Sequence, residues 1–279
     1  MRPHFLRTVF VLLTVACGAP AIAQEIGLEL YSLRHQLETD PATAMAKVKQ
    51  MGFRDVELSG TYGMQFPQLI KLLAENRLNV VSYGADFERL RDFPQRVADE
   101  ARSYGARFVV CFWIPHRADT FKLADAEEAA FVLNNAGKVM ARNGLMLAYH
   151  PHGYEFDQHG DGTIFDHLVQ QLDTRVVQLQ MDVFWIKQAG QDPVALLKKY
   201  HNRWISIHLK DRQPGTPNSN DGKADDETNV VLGKGDVGIA DLMKEAKRLG
   251  IQHFFIEDES SRSEEQIPKS LEFLKSLEQ

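Results

Sequence analysis

A single-domain (β/α)8 barrel is the fold this sequence predicts, and three observations predict it. Apolar β-type runs alternate eight times with stretches of helical period, and no Pro- or Ser-rich linker interrupts the rounds; this is the signature of βαβ units around a parallel sheet. Gly52, Gly105, Gly144 and Gly250 each follow a helical stretch and lead straight into a strand, as residues just past a helix end should. Four apolar runs stop on metal-binding side chains: LMLAYHPH on His150 and His152, VVQLQMD on Asp182, WISIHLKD on His208 and HFFIED on Glu257. Side chains from separate strand ends meet at one point when the strands lie parallel, which is the geometry of a barrel mouth.

The elements follow in order. Strands are expected over 26–31, 55–58, 79–83, 108–112, 146–150, 176–181, 204–209 and 253–257, and helices near 41–50, 65–76, 87–104, 125–142, 163–172, 193–199, 239–249 and 264–277. Asp40-Pro41 supplies an N-cap with proline in the first turn of the first helix, where its missing N–H costs nothing. The pattern repeats but the residues do not, so the unit recurs in structure only. Segment 212–236 breaks the alternation, being polar and rich in Pro, Gly, Asn and Asp. A loop of that length is functional or mobile in most compact domains, and it leaves from the strand bearing His208. It is expected to be a lid over the site or an insertion on the surface.

The first residues stand apart from the fold. Arg2 and Arg7 precede an apolar run from Val9 to Ala16, and Ala21 and Ala23 form an A-x-A site before Gln24; together they read as a secretory signal peptide over 1–23. The run is too short to span a bilayer. Acylation at Cys17 is disfavoured, because Thr14 stands where a lipoprotein signal has a branched aliphatic residue. A barrel over 24–279 in the periplasm or outside the cell is the expectation. Cleavage removes two arginines and no acid, so the net charge of −6 becomes −8, a balance that argues against a nucleic-acid partner. Only Cys111 then remains, so no intrachain disulfide can form. Oligomeric state is left open, a homo-oligomer included.

The chemistry lies in the strand ends. His150 and His152, two apart on an extended strand, point to one side. Asp182 reads either as a metal ligand or as a helix N-cap, whereas His208, within a run of Trp204, Ile205, Ile207 and Leu209, is hard to explain as surface. Glu257 opens an acidic cluster with Asp258 and Glu259, of which two are expected to be merely solvated. Imidazoles with carboxylates form a mixed set that suits one Mn²⁺, Zn²⁺, Co²⁺ or Fe²⁺ better than an oxygen cage for Ca²⁺ or Mg²⁺. Glu57 ends the second strand and can hydrogen-bond a substrate or orient a ligand. Trp113, Trp185, Phe112 and Phe184 also lie at strand ends and can give the site an apolar wall, with core packing as the competing explanation.

Taken in order, LELYSLR, DVEL around Glu57, YHPHGYEF, Met181-Asp182, HLKD at 208–211, GKGD at 233–236 and IED at 256–258 make the whole chain after residue 23 resemble the xylose isomerase-like TIM-barrel superfamily. That superfamily is often called sugar phosphate isomerase/epimerase, and it includes ketose 3-epimerases, inosose dehydratases and endonuclease IV proteins. The resemblance implies one divalent ion held by His150, Asp182, His208 and Glu257. Epimerases have a glutamate at the first of these positions and often a substrate-contacting histidine where Trp185 stands; the HxH segment is nearer the inosose dehydratase branch. The implied chemistry is isomerisation, epimerisation, or loss or gain of water beside the carbonyl of a sugar, cyclitol or keto-sugar. An ion on the carbonyl and adjacent hydroxyl oxygens would stabilise an enediolate. Glu257 is then the expected base, Glu155 the acid and Lys210 the oxygen stabiliser, with His152, Glu57, Trp113 and Trp185 on the substrate. The competing readings are a carbohydrate-binding barrel without catalysis and, less favoured by charge and export, an endonuclease IV-like nuclease.

Overall fold

Eight parallel strands close on themselves. They are β1 (Glu25–Glu29), β2 (Asp55–Leu58), β3 (Asn79–Gly84), β4 (Phe108–Cys111), β5 (Met146–Tyr149), β6 (Val177–Asp182), β7 (Trp204–Leu209) and β8 (His253–Ile256), each bonded to the next, with β8 returning to β1. This is a computed structural model that describes residues 25–117 and 120–277. The expected signal peptide 1–23, with Cys17, lies outside the described residues.

Around the barrel run α1 (Arg34–Thr39), α2 (Pro41–Gln50), α3 (Phe66–Asn76), α4 (Phe87–Asp92), α5 (Pro94–Tyr104), α6 (Leu123–Arg142), α7 (Ile164–Gln171), α8 (Val183–Gln188), α9 (Pro193–Lys199), α10 (Ile239–Leu249) and α11 (Ser263–Ser276). No helix among the described residues is long and apolar enough to cross a membrane. Three differences from the expected elements have local causes. The helix expected over 87–104 is two, because Pro94 starts a fresh one and Phe93 before it is non-helical. The first strand stops at Glu29 and turns into a 3₁₀ segment, Leu30–Leu33, followed by α1. The third difference is α8, whose sequence VFWIKQ carries no polar face to announce a helix.

Side-chain direction along each strand has period two, and the alternation sorts the barrel into two shells. Val109, Leu147, Leu179, Ile207 and Leu209 join Leu69, Val97, Leu133 and Leu168 of the helices in one continuous apolar cluster, whose burial drives the fold. The other parity points inward and upward: Gly27 and Glu29, Ala148 and His150, Gln180 and Asp182, Ser206 and His208, Phe255 and Glu257. Two glycines make room in this inner shell. A methyl group on Gly84 would sit 2.4 Å from the Phe112 ring, and one on Gly27 would sit 2.9 Å from Phe255. Phe112 and Phe255 thereby pack across the barrel under the histidines, with Phe112 5.2 Å from the His150 ring and Phe255 6.0 Å from that of His208.

Candidate metal centre and active site

Register decides which polar groups face one another at the mouth. Glu29 pairs with Glu57 across β1 and β2, and Asp182 with His208 across β6 and β7. A cavity of about 440 Å³ opens above them, lined by Glu29, Tyr31, Ser59, Asp86, Phe112, Trp113, His150, His152, Trp185, His208, Gly222, Glu257 and Glu259. A roomier groove of about 780 Å³ runs along the outside between Lys187 and Arg248. Its lysines and acids are mixed and it gathers no set of ligand atoms, so the mouth is the candidate site.

His150, Asp182 and His208 are all buried and each offers a ligand atom within 4.8 Å of the others. Asp182 divides its two oxygens between the roles the sequence suggested as alternatives. Oδ1 accepts from the N–H groups of Phe184 and Trp185 at 2.7 and 3.0 Å, capping α8. Oδ2 has no hydrogen-bond partner and stands 3.7 Å from His150 Nε2, which has none either. Two buried, unpartnered lone-pair atoms aimed at each other are costly unless something positive lies between them. Glu257 Oε2 lies 2.9 Å from His208 Nδ1 as its hydrogen-bond partner, and an ion held by both would displace the proton they share. The donors present therefore fit a divalent ion of the mixed N/O kind.

The electrostatics agree in direction. Burial raises the Asp182 carboxyl to about 7, against the pull of Lys210. Burial also lowers His152 to about 4, helped by Lys210, and lowers His150 well below its usual value, so both imidazoles are neutral near pH 7. His208 is the opposite case: burial disfavours its cation, yet Glu57 and Glu257 raise it well above the ordinary histidine range. Burial would lift Glu257 too, but Lys210 and His208 hold it low. Glu29 is raised, by burial first and then by Glu57.

The remaining expected residues separate into two groups. His152, Trp113 and Trp185 line the cavity, with the His152 ring 5.6 Å from Trp113 and 5.2 Å from Trp185. Glu57 is fully buried and bonds His208 Nε2 from below. Lys210 is also buried, bonded to Glu259, 3.9 Å from Glu257, and 5.0 and 5.4 Å above the rings of Phe184 and Trp185. It anchors the acids of the rim and does not itself line the cavity.

Glu155 requires a correction. Tyr149 points outward from β5, and Glu155 is bonded to its hydroxyl while accepting from the N–H groups of His152 and Gly153 at 3.1 and 2.9 Å. It sits behind the barrel wall with no exposed surface, bracing the turn that carries His152, and does not reach a substrate in the mouth as an acid. The acidic cluster is corrected as well. Asp258 is buried against Ser260, and Glu259 is tied to Lys210, so neither is merely solvated. Glu29 and Gln180 are site residues that the sequence reading passed over. Glu29 ends its apolar run just as Glu57 and Glu257 do, and Gln180 shares the inward parity of Asp182, so both signals were present.

Segment 212–236 folds back over the mouth. Its base is an antiparallel ribbon of Asp211–Arg212 with Asn229–Val230, and buried Asp211 gathers the N–H groups of Gly233, Gly235 and Val237 at 2.9, 3.0 and 3.2 Å. Gly222 reaches the cavity, where even a methyl group would meet Tyr154 at 2.8 Å and Trp113 at 3.2 Å.

A model of the xylose isomerase-like TIM barrel family matches residues 45–277. The chain belongs to this family. Among curated relatives, it is 28% identical over 194 residues to an inosose dehydratase of Geobacillus kaustophilus, covering 67% of this chain and 59% of that protein. The aligned stretch thus spans under two thirds of the relative's length. Among solved structures, a sugar phosphate isomerase/epimerase from Parabacteroides distasonis superposes with a TM-score of 0.74 at 21% identity, covering 94% of this chain and 98% of the other. The IolI protein with a bound zinc atom superposes with a TM-score of 0.68 at 14% identity, over 91% and 97%. The curated relative comes from a sugar-acting isomerase and lyase family; the two structural likenesses show the fold.

Proposed function

We propose that this protein is a divalent-metal-dependent isomerase, epimerase or lyase that acts beside the carbonyl of a sugar, cyclitol or keto-sugar, after export directed by residues 1–23. The observation that carries the reading is the pair of unpartnered buried atoms, His150 Nε2 and Asp182 Oδ2, beside His208 and Glu257 at the mouth of a barrel whose family includes dehydratases and isomerases. His150, Asp182, His208 and Glu257 would hold the ion. Bound there, it would supply Lewis-acid polarisation of the substrate carbonyl.

This chain's own residues do the rest. The rings of Trp113 and Trp185 flank the cavity and stack on the apolar face of a sugar ring. Glu257, kept ionised by Lys210 and His208, takes the proton from the carbon beside the carbonyl. His152, neutral and with Nδ1 unpartnered, is the second group able to move a proton there, in place of Glu155. Segment 212–236 narrows the mouth through Gly222 and limits water. Among the described residues neither Lys nor Arg lines the cavity while four acids do, which disfavours the nuclease reading, since a polyanion needs cations.

Metal analysis of the purified protein, followed by exchange of the α-hydrogen of an inosose or keto-sugar in deuterated water, tests the proposal. About one divalent ion per chain and metal-dependent exchange are expected. No metal uptake and no exchange with any added Mn²⁺, Zn²⁺, Co²⁺ or Fe²⁺ would leave a non-catalytic carbohydrate-binding barrel.

A further inference from the structure

Beneath the two histidines lies one fully buried amide whose orientation is fixed by its neighbours. Gln180 Nε2 donates to Glu57 Oε2 at 2.8 Å and to Ser206 Oγ at 3.0 Å. A carboxylate oxygen accepts only, so the NH₂ end must face Glu57 and the carbonyl end must face β5. There Gln180 Oε1 lies 2.8 Å from His150 Nδ1. An amide oxygen accepts only as well, so Nδ1 carries the proton of neutral His150, and Nε2 keeps its lone pair toward Asp182. The chain continues on the other side, where Glu57 Oε1 bonds His208 Nε2. His208 Nδ1 in turn bonds Glu257 Oε2 at 2.9 Å, so both of its nitrogens face carboxylates.

We propose that Gln180 is a positioning residue that sets the tautomer of His150, so that His150 offers Nε2 to the ion, and that ties this choice to the Glu57–His208 pair. The role rests on the proposed metal site but is separable from it, because the His150 tautomer exists before any ion binds. A buried amide accepts from His150 while donating to Glu57; an acid would accept from His150 but repel Glu57, and an apolar residue would do neither. A histidine's metal-binding nitrogen is chosen by the hydrogen bond its other nitrogen makes, and here that bond comes from a side chain whose other end holds Glu57.

The test is ¹⁵N NMR of the histidine side chains in metal-free protein, joined to metal titration by calorimetry. Wild type is expected to show His150 as the Nδ1–H tautomer. Gln180→Leu should release that bias and weaken metal binding by roughly 10- to 100-fold. Gln180→Glu, which still accepts from His150 but repels Glu57, should keep the His150 tautomer yet disturb the His208 signals. A wild-type His150 protonated on Nε2, or a Gln180→Leu protein with the wild-type tautomer and metal affinity within threefold, overturns the proposal. If Gln180→Leu does not fold, the wild-type spectrum and Gln180→Glu still decide it. Absence of metal binding by a wild type that shows the expected tautomer would refute the metal centre and leave the role of Gln180 standing.

Discussion

The two sides of the barrel mouth use the same residue types and leave them in opposite states. On the side of β7, β8 and β2, His208 lies between Glu57 and Glu257, and Lys210 between Glu259 and Glu257, so charge is answered by charge. On the side of β5 and β6, His150 Nε2, His152 Nδ1 and Asp182 Oδ2 are buried with no partner. Apart from Glu29 Oε2, which also lacks a hydrogen-bond partner, the first side is a closed ion network and the second is an open one. A closed network of buried charges fixes geometry more than it adds stability, whereas unpaired buried donors and acceptors are a cost that a ligand relieves. The arrangement is that of a rigid wall facing a receptive one.

Four measurements break or sharpen that contrast. The largest effect is expected from Glu257→Gln, which keeps an oxygen for the ion but cannot accept a proton: turnover should fall by roughly 10²- to 10⁴-fold with most metal retained, read by steady-state kinetics beside metal analysis. Unchanged α-hydrogen exchange in that variant would move the base to His152. Lys210→Met strips the finished side of its cation and leaves Glu257 and Glu259 uncompensated. It should cost about 3–5 kcal/mol, visible as a lowered urea midpoint; an unchanged midpoint would mean that the network is not closed.

On the open side, saturating metal should stabilise the fold by about 2.7 kcal/mol at a hundred times the Kd. Asp182→Asn retains a capping oxygen for α8 while removing the charge, so it should abolish that gain without unfolding the apoprotein. A metal-induced shift in melting temperature that survives Asp182→Asn would exclude Asp182 as a ligand.

The smallest effect lies away from the mouth and serves as a control. Asp166 accepts from Thr163 N at 3.0 Å and Lys199 Nζ at 2.7 Å, and despite burial these contacts with Tyr200 lower its carboxyl below the usual value. A carboxyl depressed in the folded state contributes stability above its unfolded pKa of about 4 and loses it as the pH falls below that. Asp166→Asn should therefore flatten the acid limb of the stability profile below about pH 4 and leave metal binding alone.

The barrel was legible in the sequence because apolar runs alternate with helical stretches and four of those runs stop on metal-binding side chains, and because Asp40, Pro41 and the helix-exit glycines punctuate it. The ligand candidates at His150, Asp182 and His208 were legible for the same reason. What escaped was direction rather than identity. Glu155 follows the HPH segment within a tight turn at Gly153, whose φ of 98° swings the chain behind the wall, and no local pattern announces that. Gln180 reads as an ordinary strand residue until four strands are brought together around it. Helix α8 was invisible because five of its six residues are buried, which erases the polar stripe by which a helix is recognised.

The fit between Gly84 and Phe112 makes the depth of the mouth a two-residue character. With a methyl carbon at 84 placed 2.4 Å from the ring, any side chain there demands a smaller residue at 112, and shrinking 112 first removes the ring edge against His150. The two positions are therefore epistatic: each substitution is harmful alone and admissible only with the other. Lineages sharing this floor would inherit or exchange the pair as a unit, so change in this part of the site would come in double steps.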